Sequence, residues 1–168
     1  MCAEGGTGYN HCVTMGRSKQ IEGPYERDPE NPILTSAPGN PNERHDPDHL
    51  KTKYYNPDCG LQKAGHGSVV DTTNGETWMV YLCARPFTPE LRCTMGRETA
   101  MRRMRWTKDG WLRTIDGCNL AKLEEEESAL PAYPMPKIPA FDDFDSPEPG
   151  NRYYAPRIQP QTFVDLKA

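Results

Sequence analysis

The sequence lacks three features that would place it in a familiar class. No apolar run is long enough to cross a membrane as a helix. The N-terminus, Met1 to Gly6, has neither the basic region nor the apolar stretch of a signal peptide. The compartment stays open, with the cytoplasm slightly favoured over secretion. The six cysteines form no C-x-x-C pair, which excludes a zinc ribbon or a thioredoxin-type site. The even count would permit three disulfides in a secreted protein, but Cys12 and Cys83 lie in apolar strand-like runs, which favours buried, reduced thiols.

Apolar content, helical periodicity and net charge are also low. Hydrophobic residues make up 35% of the 168 residues, against about 45–50% in ordinary domains. With 17 prolines and 14 glycines, part of the chain is not expected to pack a core of its own. The net charge of -4 gives no electrostatic argument for a nucleic acid or a membrane as partner. Helical periodicity is nearly absent outside 119–129, so the predicted fold class is all-β.

What the sequence does have is strand-like runs joined by tight-turn dipeptides. Asn74-Gly75 separates the runs 64–71 and 77–82, and Asp109-Gly110 separates 101–106 and 111–115. Both dipeptides are strong hairpin signals. The run 77–82 carries apolar residues on both faces, which is typical of strands in a layered or radial sheet assembly. The pattern alone predicts a β-propeller or a β-sandwich.

Three segments carry candidate chemistry with competing interpretations. His66 stands between two glycines, so it is either a hydrogen-bonded turn histidine or a site residue that a neighbour can approach closely. His45 and His49 are spaced for a metal on a helix, but Pro47 breaks that helix and favours a solvated loop. The arginines of 102–105 beside Trp106 could contact a single-stranded nucleic acid. We favour instead the charged outer face of an edge strand.

The domain organisation follows from a change of composition near residue 124. Four glutamates, Glu124 to Glu127, precede four closely spaced prolines at 131, 134, 136 and 139, which indicates an extended linker. We therefore predict a β unit over 1–123, a linker over 124–140, and an incomplete β unit over 141–168. Both ends of the chain read as if they cut through a strand.

Several motifs, in one order along the chain, resemble family 43 glycoside hydrolases of the β-xylosidase and α-L-arabinofuranosidase type. They are Ala3-Glu4-Gly5-Gly6-Thr7, Glu22-Gly23-Pro24-Tyr25 with Asn31-Pro32-Ile33-Leu34, Ala64-Gly65-His66-Gly67-Ser68, Trp78 to Pro86, and Gly96-Arg97-Glu98-Thr99-Ala100. The resemblance implies that 1–123 is the C-terminal part of a five-bladed β-propeller. It also implies that 141–168, which contains Asp142-Asp143-Phe144-Asp145, begins a C-terminal β-sandwich.

The resemblance further implies inverting hydrolysis of xylosides or arabinosides, which needs an acid and a base carboxyl. The family's acid, base and tuning carboxylates lie in segments that this sequence does not contain. Glu22 follows the Gly-Gly-Thr motif rather than preceding it, so it is not assigned as the acid. Glu4, Asp71 and Glu98 are likewise left as loop or strand-end carboxylates. We therefore expect a catalytically inactive fragment, the alternative being a non-catalytic carbohydrate-binding or interaction module.

Three residues match the family's substrate pocket. Arg97 corresponds to an arginine that binds sugar hydroxyls, although a salt bridge to Glu98 or another acid is the competing interpretation. His66 corresponds to a histidine near the propeller axis that orders a water or, in some members, a hydrated cation. Thr7 corresponds to a pocket-lining threonine. The expected partner is a xylo- or arabino-oligosaccharide, and a structural Ca²⁺ at the axis, held by His66 through water, is the one cofactor that the resemblance allows. The sequence does not decide xylose against arabinose, nor the oligomeric state.

Overall fold

A computed structural model of the chain describes residues 1–4, 6, 8–37, 56–89, 93, 96–146, 150, 153, 155 and 157–165. In these ranges the regular structure is nine strands and a 3-10 turn at Pro160–Thr162, so the predicted all-β class is confirmed. The strands are β1 (Cys2–Glu4), β2 (Cys12–Thr14), β3 (Gly16–Arg17), β4 (Glu26–Arg27), β5 (Leu34–Thr35), β6 (Gln62–Asp71), β7 (Thr77–Ala84), β8 (Glu98–Trp106) and β9 (Leu112–Thr114). The proposed metal pair His45 and His49 lies outside the described residues. Across the described ranges no helix is long and apolar enough to span a membrane.

The strands form three antiparallel sheets in the order β1-β2-β5, β3-β4 and β6-β7-β8-β9. The four-stranded sheet is a meander whose first and third connections are the two predicted hairpins. Gly75 and Gly110 take the left-handed φ angles of 82° and 83° that these turns require. Both hairpin predictions are confirmed.

The core lies where β2 and β5 contact β6, at the edge of the four-stranded sheet, and it takes in side chains of β7 and β8. Met79, Tyr81 and Cys83 on one face of β7 are fully buried, and Trp78 on the other face is 3% exposed. Burial on both faces explains why this strand has no polar alternation. Cys12 is also fully buried, and both predicted buried cysteines are free thiols.

The arginine-rich strand is not an edge strand, and that prediction is wrong. β8 lies between β7 and β9, and the side chain of Arg102 is fully buried. The chain that follows β9 returns over this strand and brings the carboxylates of Asp116 and Glu125 to the guanidinium. The sequence could not show this return, because alternating arginines look the same whether water or a carboxylate faces them.

The chain divides into two compact units, Met1–Leu130 and Pro131–Ala168. Glu125, from the predicted linker, pairs with Arg102 and so belongs by contact to the first unit. In the second unit the hydroxyl of Tyr153 donates to Asp142 Oδ2 at 2.8 Å, and its ring lies 5.6 Å from that of Phe144. The boundaries proposed from composition, and the assignment of 141–168 to a sandwich, stay predictions.

Glu76 anchors residues 128 and 129 to the four-stranded sheet. Its carboxylate accepts hydrogen bonds from the Ser128 hydroxyl, from Trp78 Nε1 at 3.3 Å and from the Ala129 amide, and it pairs with Arg103 at 3.1 Å. The hydrogen bond from Ser128 is the main cause that lowers the pKa of Glu76 to about 2. A carboxylate with a lowered pKa stabilises the fold above its unfolded pKa, and that stabilisation is lost as the pH falls through the folded pKa.

We therefore expect acid to loosen this anchor in the window from about pH 4.5 down to about 2. Urea unfolding at several pH values should show a steeper loss of stability for the wild-type chain than for E76Q, whose amide does not titrate. Equal pH dependence in the two proteins would contradict the prediction, because other carboxylates are common to both.

Candidate functional site

His66 lies on β6 with an exposed side chain and a left-handed φ of 55°. The two flanking glycines are needed for close packing. A Cβ on Gly65 would lie 2.5 Å from the His11 ring, and one on Gly67 would lie 2.8 Å from Met79 Sδ. The predicted close approach therefore exists, but it is made to the glycines and not to the His66 ring.

Two irregularities in β6 shape the site. The register with β7 shifts between Gln62 and Gly65, and again between Gly65 and Ser68. Each shift contains one non-glycine residue with φ of 55°, Lys63 in the first and His66 in the second. A β-bulge redirects a side chain or carbonyl out of the ladder, and left-handed backbone at a non-glycine residue is often found at functional sites. The first of the two shifts thus takes Lys63 out of the register with β7.

The Lys63 carbonyl is the centre of a polar cluster that also contains His11, Arg97 and Gly6. His11 Nδ1 lies 2.9 Å from this oxygen, and Arg97 Nη1 donates to it at 3.3 Å. Arg97 Nη2 donates to the Gly6 carbonyl at 3.1 Å. The structure therefore joins three of the motifs identified in the sequence: the Gly-rich turn at residues 3–7, the His66 segment and the Arg97 segment.

Arg97 is half-buried, and the competing interpretation as a partner of Glu98 is not what the structure shows. Glu98 pairs instead with Arg85 Nε at 3.0 Å. The carbonyls of Lys63 and Gly6 are neutral acceptors, which satisfy N–H groups of Arg97 without neutralising its charge. Because a guanidinium has five N–H donors in a rigid fork, donors remain for a ligand with adjacent hydroxyls or a carboxylate.

His11 is a site residue that the sequence reasoning missed. Its side chain is 3% exposed, and burial is the main cause that lowers its pKa, with the charges of Arg97 and His66 acting in the same direction. The His11 ring packs on Gly65, the residue before His66. The only sequence signal for His11 was its position, directly before β2 and after the Gly-rich turn. Its partners Lys63 and Arg97 are 52 and 86 positions away, however, and no spacing rule connects them.

The remaining predicted groups are placed as follows. Thr7 lies outside the described residues, as does the side chain of Glu4. Among the unassigned carboxylates, Asp71 Oδ1 accepts from the Thr77 hydroxyl at 2.7 Å, and Glu22 is exposed. The hydrogen bond of Asp71 and the exposure of Glu22 give the two carboxylates ordinary surface roles.

A calcium ion takes about six to eight oxygen ligands. Over the described residues, no group of three or more His, Cys, Asp or Glu side chains could hold a metal ion. A calcium ion held near His66 through water, as the resemblance implies, therefore stays a prediction.

Comparison with known proteins gives a consistent set of relatives. The pattern of the glycosyl hydrolases family 43 matches residues 1–112. A xylosidase/arabinosidase 43B of Humicola insolens is 44% identical over 117 residues, which are 70% of this chain and 19% of that protein. A beta-xylosidase of Bacillus subtilis is 36% identical over 157 residues, covering 85% of this chain and 26% of that protein.

The solved structures agree with these relatives. The crystal structure of the xylan beta-1,4-xylosidase of Bacillus halodurans C-125 superimposes with a TM-score of 0.70 and 44% identity, covering 88% of this chain and 25% of that chain. The predicted partial β-propeller is confirmed by this similarity. The chain spans 19% to 26% of the length of these relatives.

Proposed function

Since the chain belongs to glycosyl hydrolase family 43, we propose that it is part of an enzyme that hydrolyses O-glycosidic bonds in xylosides or arabinosides. The 168-residue chain supplies one wall of the sugar-binding subsite. Arg97 binds vicinal hydroxyls of the sugar, His66 orders a water or a hydrated cation near the propeller axis, and Thr7 lines the pocket. The relatives that are named xylosidases and arabinosidases support this substrate class.

The observation that carries the proposal is the state of Arg97. Its Nη1 and Nη2 groups donate to the carbonyls of Lys63 and Gly6, and its neighbour Glu98 is paired elsewhere. A fixed, half-buried cation whose backbone acceptors are neutral is well suited to bind hydroxyl oxygens with charge-assisted hydrogen bonds.

The bond-breaking step needs groups from outside this sequence. Inversion requires an acid and a base about 6.5–9.5 Å apart on opposite sides of the glycosidic bond. The carboxylates of Asp71 and Glu98 are engaged with Thr77 and Arg85. The 168-residue chain is therefore proposed to bind sugar without cleaving it.

The test combines turnover and binding on the purified chain. We expect no release of nitrophenol from 4-nitrophenyl β-D-xyloside or α-L-arabinofuranoside above the rate without protein. We expect D-xylose or L-arabinose to bind, measured by saturation-transfer NMR. R97M should weaken this binding about tenfold or more, the usual effect of losing hydrogen bonds from a charged donor.

R85M is the matched control, because Arg85 pairs with Glu98 at the surface and has no proposed contact with sugar. Normal turnover by the chain would refute its inactivity. Binding that is absent, or equally strong in wild type and R97M, would refute the subsite.

The alternative function is a non-catalytic carbohydrate-binding module. It is favoured by the same pair of observations, an intact Arg97 cluster beside carboxylates with ordinary contacts. A module of this kind should bind sugar with useful affinity alone, whereas a fragment of an enzyme should gain affinity when the missing part of the propeller is supplied. Titration of the chain with xylose before and after adding the corresponding N-terminal part of a relative distinguishes the two.

A further inference from the structure

We propose that His11 is a positioning residue that holds Arg97 in the orientation in which it meets a sugar, an inference that rests on the proposed function of Arg97. The two side chains approach within 3.2 Å, between His11 Nδ1 and Arg97 Nη1. Both lie on the same carbonyl oxygen, that of Lys63. The geometry of this contact among His11, Arg97 and Lys63 determines which groups donate hydrogen bonds and which group accepts them.

The His11 ring carries a proton on Nδ1. A carbonyl oxygen only accepts, so the distance of 2.9 Å between Nδ1 and Lys63 O requires a proton on Nδ1. An imidazole with its proton on Nδ1 cannot also accept a hydrogen bond there from Arg97. The 3.2 Å approach is therefore a contact of two donors that share one acceptor.

His11 is held firmly through both its backbone and its ring. Its backbone amide donates to the Gly8 carbonyl at 3.2 Å, and its carbonyl accepts from the Thr35 hydroxyl at 3.2 Å. Its ring packs directly on Gly65, where a Cβ would lie only 2.6 Å from Nε2. With backbone, ring face and Nδ1 all fixed, the ring has one orientation, and it forms a rigid wall beside the guanidinium.

Hydrogen bonds to two carbonyls order the long side chain of Arg97. Its Cα lies in the connection before β8, and its side chain reaches back to β6 and to the Gly-rich turn near β1. A long side chain carries a large rotamer entropy, which binding must otherwise remove. Two carbonyl acceptors fix the Nη side of the fork, and the His11 ring fixes the Lys63 carbonyl that is one of them. His11 therefore reduces the ordering that sugar binding would require, which is how preorganisation raises affinity.

The experiment compares H11N with H11Q in the 168-residue chain. The amide nitrogen of Asn can take the place of Nδ1 and donate to Lys63 O, whereas that of Gln takes the place of Nε2 and cannot reach it. The readout is the side-chain Nε–Hε signal of Arg97 in ¹⁵N-labelled protein, assigned with R97K. The corresponding signal of Arg85, which pairs with Glu98, is the internal control. Far-UV circular dichroism and urea unfolding verify that both variants fold.

We expect the Arg97 signal to be protected from exchange in wild type and H11N, and to be exchange-broadened in H11Q, while the Arg85 signal stays the same. D-xylose should bind H11Q about tenfold more weakly than wild type, and H11N within about threefold. An unchanged Arg97 signal in H11Q would overturn the proposal. Loss of the Arg97 signal in folded H11N would overturn it as well. If H11Q does not fold, the H11N measurement alone decides whether the proposal stands.

The failure of the proposed function is a separate outcome. If the Arg97 signal responds as expected but no protein, wild type included, binds xylose or arabinose, then His11 does position Arg97 and the sugar subsite is wrong. If xylose binds to wild type and equally to H11Q, the subsite stands and the positioning role is overturned.

Discussion

Replacing Arg102 with methionine is expected to destabilise the first unit by about 3 kcal/mol. The side chain of Arg102 is fully buried, and its Nη2 donates to Asp116 Oδ1 and Oδ2 at 2.9 and 3.0 Å and to the Cys118 carbonyl at 3.1 Å. Nη1 pairs with Glu125, and Nε donates to the Leu120 carbonyl at 3.3 Å. Methionine fills similar space but provides no donor, so two carboxylates and two carbonyls lose these hydrogen bonds together, and among the described residues only Asp116 keeps a cation partner, Lys122.

The size of the loss in stability depends on how well Asp116 and Glu125 are hydrated once Arg102 is removed. Removing one partner of a buried ion pair costs about 3–5 kcal/mol, because the other charge remains buried. Asp116 is 32% exposed and Glu125 is 15% exposed, so both recover some hydration, and the lower end of that range applies. Since small domains are stable by only about 5–15 kcal/mol, the loss is a large fraction of the total.

The matched control is R105M, which makes the same change on the same strand at an exposed position. Its effect on the free energy of unfolding should stay within about 0.5 kcal/mol. R102K should fall between the two, because an ammonium keeps the charge but cannot reproduce the fork. Urea unfolding of the three variants checks the order, and equal effects of R102M and R105M would contradict the buried-pair account.

The pair also has a pH signature. Burial alone would raise the pKa of Asp116, but the hydrogen bonds from Lys122 and Arg102 outweigh it and hold this pKa below its usual range. Stabilisation by Asp116 is therefore present above its unfolded pKa and lost as the pH falls. R102M should weaken this dependence, since it removes one of the groups that lower the pKa of Asp116.

Local patterns in the sequence predicted the parts of the fold that local chemistry controls. Asn74-Gly75 and Asp109-Gly110 predicted two hairpins, because a positive φ at glycine is a property of the turn itself. The continuous apolar run of β7 predicted burial on both faces. What the sequence could not give were the contacts set by tertiary return of the chain, such as the carboxylates that cover Arg102.

In the candidate site, too, local motifs predicted some residues, and tertiary contacts determined the others. His66 and Arg97 were found by motif, and both lie near the polar cluster around Lys63 O. His11 was missed because its partners come from distant segments. Conformational freedom was expected at the glycines beside His66, although the strand irregularity puts the positive φ on the histidine itself. Register shifts depend on which strands pair, and a single strand does not encode them.

The second large effect is expected from G65A, a change of one methyl group. The new Cβ would lie 2.5 Å from His11 Cδ2 and 2.6 Å from Nε2, closer than real contacts allow. The ring cannot move away cheaply, because Nδ1 is bound to Lys63 O and Arg97 adjoins it. Overpacking at such a position costs about 1–3 kcal/mol. Moving the ring should also release Arg97, so D-xylose binding should fall about tenfold or more.

G150A is the control, since a Cβ at Gly150 meets nothing within 4 Å. It should change neither the free energy of unfolding nor xylose binding. The sharper comparison is the double mutant H11A/G65A. If the clash with the His11 ring is the cause, G65A should cost far less stability in the H11A background than in wild type, and the two effects will not add. If G65A costs the same in both backgrounds, the damage arises in the β6 backbone, and the glycine serves the strand irregularity instead of the histidine.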